Sequence, residues 1–391
     1  LETVSAGEAA VFAGDVSGLA ATYHVLPGLA MPLVTVSMLV YFFGDVPQRS
    51  LAAVRPVVPL ALFAGVAFIL PFTLTAVFLG PELPSIIAPI VGGGLTVGVL
   101  NRGWLLPDDQ WHLPADHTWP EKWTGSPPEN HADQPTGQQH TVTDGGQPLS
   151  LGRAWTPYFL LVVLLIGTRD FTPVGSALTR LDMFTLSWTG IFDTTLTNSI
   201  AWAYAPGTWL VATALIAIPL YGLSGTEIKH AWQEAGETTI APAVALTFII
   251  GTVGILLHSG QYGGAPGSQS MMLAIADGVG ETFGGVYTAV VAPIGVVGTF
   301  VTGSVMVSNV TFSPMQYELA GELGYNQAHV VAAQAAAGGI GNAISIHNVI
   351  AALATVGLMG KEGTVIRMNI LPVAAYTFII LMLLSTASLF V

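Results

Sequence analysis

The chain has 391 residues, 52% of them hydrophobic and only 8% charged, and its mean hydropathy of +0.66 excludes an ordinary soluble enzyme of this length. Ten basic residues against 23 acidic ones leave a net charge of −13, which argues against nucleic acid as a partner, and the absence of cysteine removes any disulfide framework or thiolate metal site. What remains is an all-α polytopic membrane protein whose first partner is the lipid bilayer.

Lysine occurs only at Lys122, Lys229 and Lys361. An acidic, lysine-poor surface suits a chain bathed in molar salt, because screening removes most of the repulsion between carboxylates. A halophilic prokaryote is the expected source, and an ordinary acidic membrane protein is the alternative.

Residues 1–24 carry Glu2, Glu8 and Asp15 among small side chains, without the basic start and apolar core of a secretory signal. They read as an N-terminal loop or a cut end. Membrane helices occupy 25–100, with spans near 25–43, 56–79 and 83–100, judged against the roughly 20 apolar residues needed to cross the hydrocarbon core. Pro56, Pro59 and Pro71 imply kinks or element ends, since proline cannot donate the helical hydrogen bond. Between the second and third spans, Gly80-Pro81-Glu82-Leu83-Pro84 forms a tight turn, where Glu82 reads as a helix-start charge.

The segment 101–153 is different in kind. Rich in Pro, Asp, His, Gln and Gly, and carrying seven acidic residues against one lysine between Pro107 and Ser150, it reads as a solvated cytoplasmic loop. The spacing of His112, His117, His131 and His140 matches no compact metal site.

A second membrane domain occupies 154–391, with spans near 154–168, 207–223, 241–257, 286–303 and 370–390, so that eight or more helices cross in all. Pro219 marks a kink or end in the fifth span. His258 and Ser259 close the sixth as an ordinary loop entry or an outer gate. Eight of the ten basic residues face the cytoplasm, leaving Arg169 and Arg180 outside, if the chain enters and leaves on one side between Asn326 and Gly360. Residues 327–359 number 33, too few for two crossings and too many for one straight helix, so a hairpin or broken helix is expected there.

Polar and glycine-rich breaks gather at about 286–360. Non-helical backbone at bilayer depth is tolerated only where it is buried in protein or lines a cavity, and carriers place their sites at such breaks. In Thr302 to Asn309, backbone NH groups with Gly303, Ser304, Ser308 and Asn309 can hydrogen-bond a small carboxylate; close helix packing is the competing reading. In Gly338 to Asn348, the polar groups Asn342, His347 and Asn348 beside Gly341 suggest a pathway, with His347 as the proton-coupling candidate. Asn342 and Asn348 stand six apart, on different faces of any continuous helix. Lys361 reads as an interfacial anchor. No metalloprotease, nucleophile-elbow or phosphate-loop motif is present, so no catalytic residue, metal or cofactor is expected.

Several collinear stretches resemble the L-lactate permease family: GPELPS at Gly80 to Ser85, AWTPYFLLV at Ala154 to Val162, the Gly303-Ser304 and Ser308-Asn309 pairs, FSPMQ at Phe312 to Gln316, GGIGNAISIHN at Gly338 to Asn348, and ATVGLMGKEG at Ala354 to Gly363. The likeness runs from Leu26 to Arg367. It implies a secondary transporter of the plasma membrane that moves lactate, glycolate or a similar 2-hydroxy monocarboxylate with protons. It also implies two inverted repeats with re-entrant hairpins, the first repeat incomplete here, and places Ser308 and Asn309 at a hairpin tip facing substrate. Val305 and Met306 stand where the family has a polar pair. The long N-terminal membrane region of the family has no counterpart, so the chain resembles the C-terminal two thirds and is expected to be a shortened form or fragment. Alternatives are a carrier of another organic acid, a sodium-coupled carrier, or a non-transporting membrane sensor or subunit; oligomeric state is left open.

Overall fold

The computed structural model describes residues 6–44, 51–107, 150–169, 172–190, 198–262, 269–355, 358 and 360–389. Its apolar stretches are helical, which satisfies their backbone groups within each segment as a bilayer requires. Helix α1 (Ala6–Phe43) is followed by a 3-10 turn over Leu51–Val57, α2 (Val58–Phe78) and α3 (Pro84–Asn101). Next come α4 (Leu151–Gly167), α5 (Pro173–Arg180) and a small antiparallel pair, β1 (Leu186–Trp188) with β2 (Asn198–Ile200), in which Leu186 faces Ile200. The remainder is α6 (Pro206–Tyr221), α7 (Gly225–Tyr262), α8 (Met271–Phe283), α9 (Tyr287–Thr302), α10 (Val305–Glu322), α11 (Gln327–Gly341), α12 (Ile346–Thr355) and α13 (Glu362–Ala387).

Each of the eight expected spans falls on an apolar helix. Four are long and apolar enough to cross a bilayer: Val11–Phe43, Ala52–Phe78, Pro84–Asn101 and Glu362–Ala387. Those in α4, α6, α7 and α9 are shorter; the 16 residues of α9 rise about 24 Å, less than the hydrocarbon thickness. Pro56 in the 3-10 turn and Pro59 in the first turn of α2 sit where a missing amide costs least, whereas Pro219 lies inside α6, three residues before its C-cap. Pro71 remains inside α2.

One expectation about these elements changes. Residues 6–24, read as a loop or cut end, form the first half of α1, because Asp15 is the single charge in an otherwise apolar Val11–Phe43. Within 327–359 the expected break forms: Gln327–Ile344 meets Ile346–Leu353 at 45°, the geometry of a broken span or a re-entrant loop. Helices α8 and α10 were not foreseen. The histidines of the acidic insert, His112, His117, His131 and His140, lie outside the described residues.

The core lies around α11, which is buried on several sides through Val330, Ala332, Ala333, Gln334, Ala336, Ala337, Gly338 and Gly341 and packs against α1, α9, α10 and α13. Small side chains permit this closeness. A Cβ on Gly295 of α9 would stand 2.5 Å from the Gln334 carbonyl oxygen, so only glycine allows these two backbones to touch. Between α9, α10 and α11 runs a fully buried polar ladder. Gln334 donates to Ser308 Oγ at 3.4 Å, Gln316 donates to Gln334 Oε1 at 3.4 Å, and the Tyr287 hydroxyl donates to the Gln316 carbonyl at 3.1 Å. Hydrogen bonding offsets the cost of burying these groups.

Helix α7 begins with a capping box. Ser224 donates its backbone NH and its hydroxyl to Glu227 Oε2, both at 2.7 Å, and Glu227 N returns a bond to Ser224 Oγ at 3.3 Å. The Ser224 hydroxyl, then its amide, hold the exposed Glu227 carboxyl below its usual value of 4.5. A depressed carboxyl stabilises the fold above its unfolded-state value, and that contribution is lost as pH falls through the folded-state value. Amide protection in the first turn of α7, corrected for intrinsic exchange, is therefore expected to fall on acidification below the carboxylate range. A Glu227→Ala protein should show no such step.

Candidate substrate-binding site

Two backbone breaks meet at one place. The first is the turn between α9 and α10, where Gly303 takes φ +73° and ends α9. That left-handed conformation favours glycine, and a Cβ here would also stand 2.9 Å from His347 Nδ1. Ser304 then caps α10, its side chain accepting from Val307 N at 3.3 Å, while Ser304 N donates to Thr302 Oγ1 at 3.3 Å. The second break follows α11: Asn342–Ile344 form a 3-10 turn, Ser345 is extended, and α12 begins at Ile346.

Asn348 ties the two together. Its Nδ2 donates to the Gly303 carbonyl at 3.4 Å and to Asn342 Oδ1 at 2.9 Å. Six residues apart, these asparagines touch because the helix between them is broken. Asn369 of α13 donates to the Ala343 carbonyl at 2.8 Å, satisfying one of the acceptors that the break exposes. Gly303, Ser304, Asn342, His347 and Asn348 are thus brought to one locus, with His347 and Asn348 exposed.

Behind this locus lies a set of buried oxygens without a hydrogen-bond partner: Thr299 Oγ1, Asn309 Oδ1 and Ser345 Oγ. Gly338 faces two of them, since a Cβ there would stand 3.2 Å from Thr299 Oγ1 and 3.7 Å from Asn309 Oδ1. Gly341 backs onto the Val296 carbonyl at 2.8 Å from its Cβ position. Buried polar atoms left unpaired cost on the order of 1–3 kcal/mol each, which is the usual mark of a place where a polar ligand or water completes the bonding.

Ser308 and Asn309 do not occupy the hairpin tip. The tip is Gly303-Ser304; Ser308 lies one turn further along α10, where it is fully buried and donates to the Gly295 carbonyl at 3.3 Å. Helical periodicity places it on the core face. The Glu82 expectation changes too. Rather than acting as a free helix-start charge, Glu82 accepts from Arg169 Nη1 at 2.7 Å. Arg169, 3% exposed, also donates to the Leu165 and Tyr204 carbonyls and stacks over the Tyr204 ring at 4.4 Å. His258 bonds a carbonyl of its own helix, that of Gly254, at 2.8 Å, and Lys361 takes the N-cap position of α13.

Sequence reasoning missed a group on α1. Tyr23 OH and His329 Nδ1 lie 2.8 Å apart, and His24 Nδ1 and Tyr376 OH 2.6 Å apart, so consecutive residues tie α1 to α11 and to α13. His24 and Tyr376 line a cavity of about 530 Å³ with Gly28, Met31, Thr35, Phe68, Phe72 and Gly339. The signal available was the Tyr-His dipeptide inside an apolar stretch.

The sequence profile described as L-lactate permease matches residues 3–390, beyond the limits of Leu26 and Arg367 set by motifs alone. A putative L-lactate permease of Haemophilus influenzae is 30% identical over 190 residues, covering 48% of this chain and 34% of that protein. The L-lactate permease of Escherichia coli K12 is 25% identical over 388 residues, covering 94% of this chain and 65% of that protein. The glycolate permease of the same organism is 24% identical over 380 residues, covering 92% and 63%. The chain thus spans less than two thirds of the length of these relatives, and no solved structure matches it significantly. With the match running over nearly all of its residues, the chain belongs to the L-lactate permease family.

Proposed function

We propose that this protein is a secondary carrier that moves a small 2-hydroxy monocarboxylate, L-lactate or glycolate, across the plasma membrane together with protons. The observation that carries this reading is the convergence of the α9–α10 turn and the α11–α12 break on Asn348, in a bundle of the L-lactate permease family. The names of the relatives, which include both lactate and glycolate permeases, supply the substrate class. Backbone and amide groups of Gly303, Ser304, Asn342 and Asn348 contact the carboxylate and hydroxyl; Ser308, Asn309 and Gly341 hold the two breaks against each other; His347, seated on Gly303, couples the turn to pH. Neutral donors suit a carrier, which has to bind an anion and then release it. The net charge of −13 supports a salt-rich, halophilic setting.

The test is uptake of labelled L-lactate into proteoliposomes at high salt with an inward proton gradient. Uptake that glycolate competes with and that stops when the gradient collapses is the expected result. Asn348→Ala is expected to lower it about tenfold or more, the worth of one hydrogen bond to a charged group. Uptake driven by sodium with the proton gradient collapsed would overturn the coupling, and failure to take up either acid would overturn the carrier reading.

A further inference from the structure

The cavity between α1, α2, α11 and α13 is separate from the Asn348 locus, on the other side of the end of α11. Gly338 turns one side of that helix toward Thr299 and Asn309, whereas a Cβ on the next residue, Gly339, would stand 3.6 Å from His24 Cε1 and 3.8 Å from Nε2. His24 sits near the middle of the Val11–Phe43 span, between the rings of Phe72 and Tyr376 at 6.0 and 5.8 Å. An ionisable group at that depth is costly and by default functional.

We propose that this cavity is a second binding station, in which a small monocarboxylate is held as a net-neutral pair with a proton on His24. The proposal rests on the carrier reading and deepens it. In the tautomer whose Nδ1–H donates to the Tyr376 oxygen, 2.6 Å away, Nε2 is the free base. A proton from the side to which the site is open forms the new Nε2–H bond as the carboxylate enters, and that bond breaks when the carboxylate leaves. Neither charge is favourable alone among apolar walls, but together they neutralise each other, which makes binding of one depend on the other.

Three observations favour this assignment. Imidazolium beside Gly339 would lie at the last turn of α11, the negative end of that helix. From the packed elements the group is faced by Tyr376 of α13, with Phe72 of α2 and Gly339 of α11 uncharged; Tyr23 and His329 are engaged with each other, and among the described residues no carboxylate, lysine or arginine lines the cavity. A second carboxylate would therefore find no partner, so the chemistry selects mono- over dicarboxylates. The His24 ring is moreover partly buried, whereas His347 is exposed.

Proton uptake on ligand addition tests this without requiring transport. Purified protein in weakly buffered detergent solution with a pH indicator should take up protons when L-lactate is added and none when malonate is added. His24→Gln should abolish the response, while His258→Gln, at a site bonded to its own helix, should retain it. Because His24→Gln also breaks a helix contact, Tyr376→Phe provides a second reading: losing the acceptor for Nδ1–H should move the midpoint of proton uptake about one pH unit lower. Proton uptake that survives in His24→Gln, an unmoved midpoint in Tyr376→Phe, or an equal response to malonate would each overturn the proposal. Failure of the carrier reading is distinguishable, since it would leave proton-linked binding intact while proteoliposomes show neither uptake nor lactate exchange.

Discussion

Replacing Gly295 with leucine is expected to destabilise the protein by about 3 kcal/mol or more and to lower the yield of monodisperse material in detergent. At 2.5 Å from the Gln334 carbonyl oxygen the first added carbon already overlaps backbone, which has no rotamer to relieve it. Helix α9 would have to withdraw from α11. Ser308 would then lose the Gly295 carbonyl that it bonds, and the ladder through Gln334, Gln316 and Tyr287 would be left partly unpaired. Thermal unfolding of the purified variant checks this, and an unchanged melting temperature would refute the close contact. Gly295→Ala should show a smaller loss in the same direction, because the clash begins at Cβ.

The second large effect is expected at the Arg169–Glu82 pair. Glu82→Gln removes the carboxylate but leaves a guanidinium that is only 3% exposed, and breaking a buried pair in this way costs about 3–5 kcal/mol. Two features reduce that figure. Glu82 is 26% exposed, so solvent screens the pair, and Arg169 keeps its bonds to the Leu165 and Tyr204 carbonyls and its place over the Tyr204 ring. A loss of about 2 kcal/mol is the result expected. The double variant Arg169→Met with Glu82→Gln should recover part of it, since replacing both charges removes the uncompensated one. Unfolding measured across the four proteins of this cycle gives the coupling, and additive losses would show that the pair contributes nothing beyond its separate groups.

Several expectations rested on local chemistry and were legible for that reason. Apolar length located eight helices, because a bilayer segment must satisfy its backbone internally whatever surrounds it. Proline and glycine marked the turns at Gly80 and Gly303, where backbone geometry is set by residue type. The six-residue separation of Asn342 and Asn348 pointed to a break that does exist, since side chains on different faces of a continuous helix, nearly two turns apart, do not meet. The reading failed where a residue's role depends on a distant partner. Asp15 made residues 6–24 look like a loop, although one charge does not outweigh the apolar run that follows it. Glu82 looked like a helix-start charge because Arg169 is 87 positions away.

Composition and periodicity were enough to establish membrane class, the placement of helices and the neighbourhood of the breaks, all of which follow from how a residue and its near neighbours interact with lipid and with their own backbone. Which face of α10 carries Ser308, that Asn348 reaches across to Gly303, and that His24 meets Tyr376 across 352 positions were decided by packing. Such contacts depend on how closely helices approach and at what angle they cross. In this bundle those are set by small side chains distributed over α1, α2, α9 and α11, whose joint effect no local stretch contains.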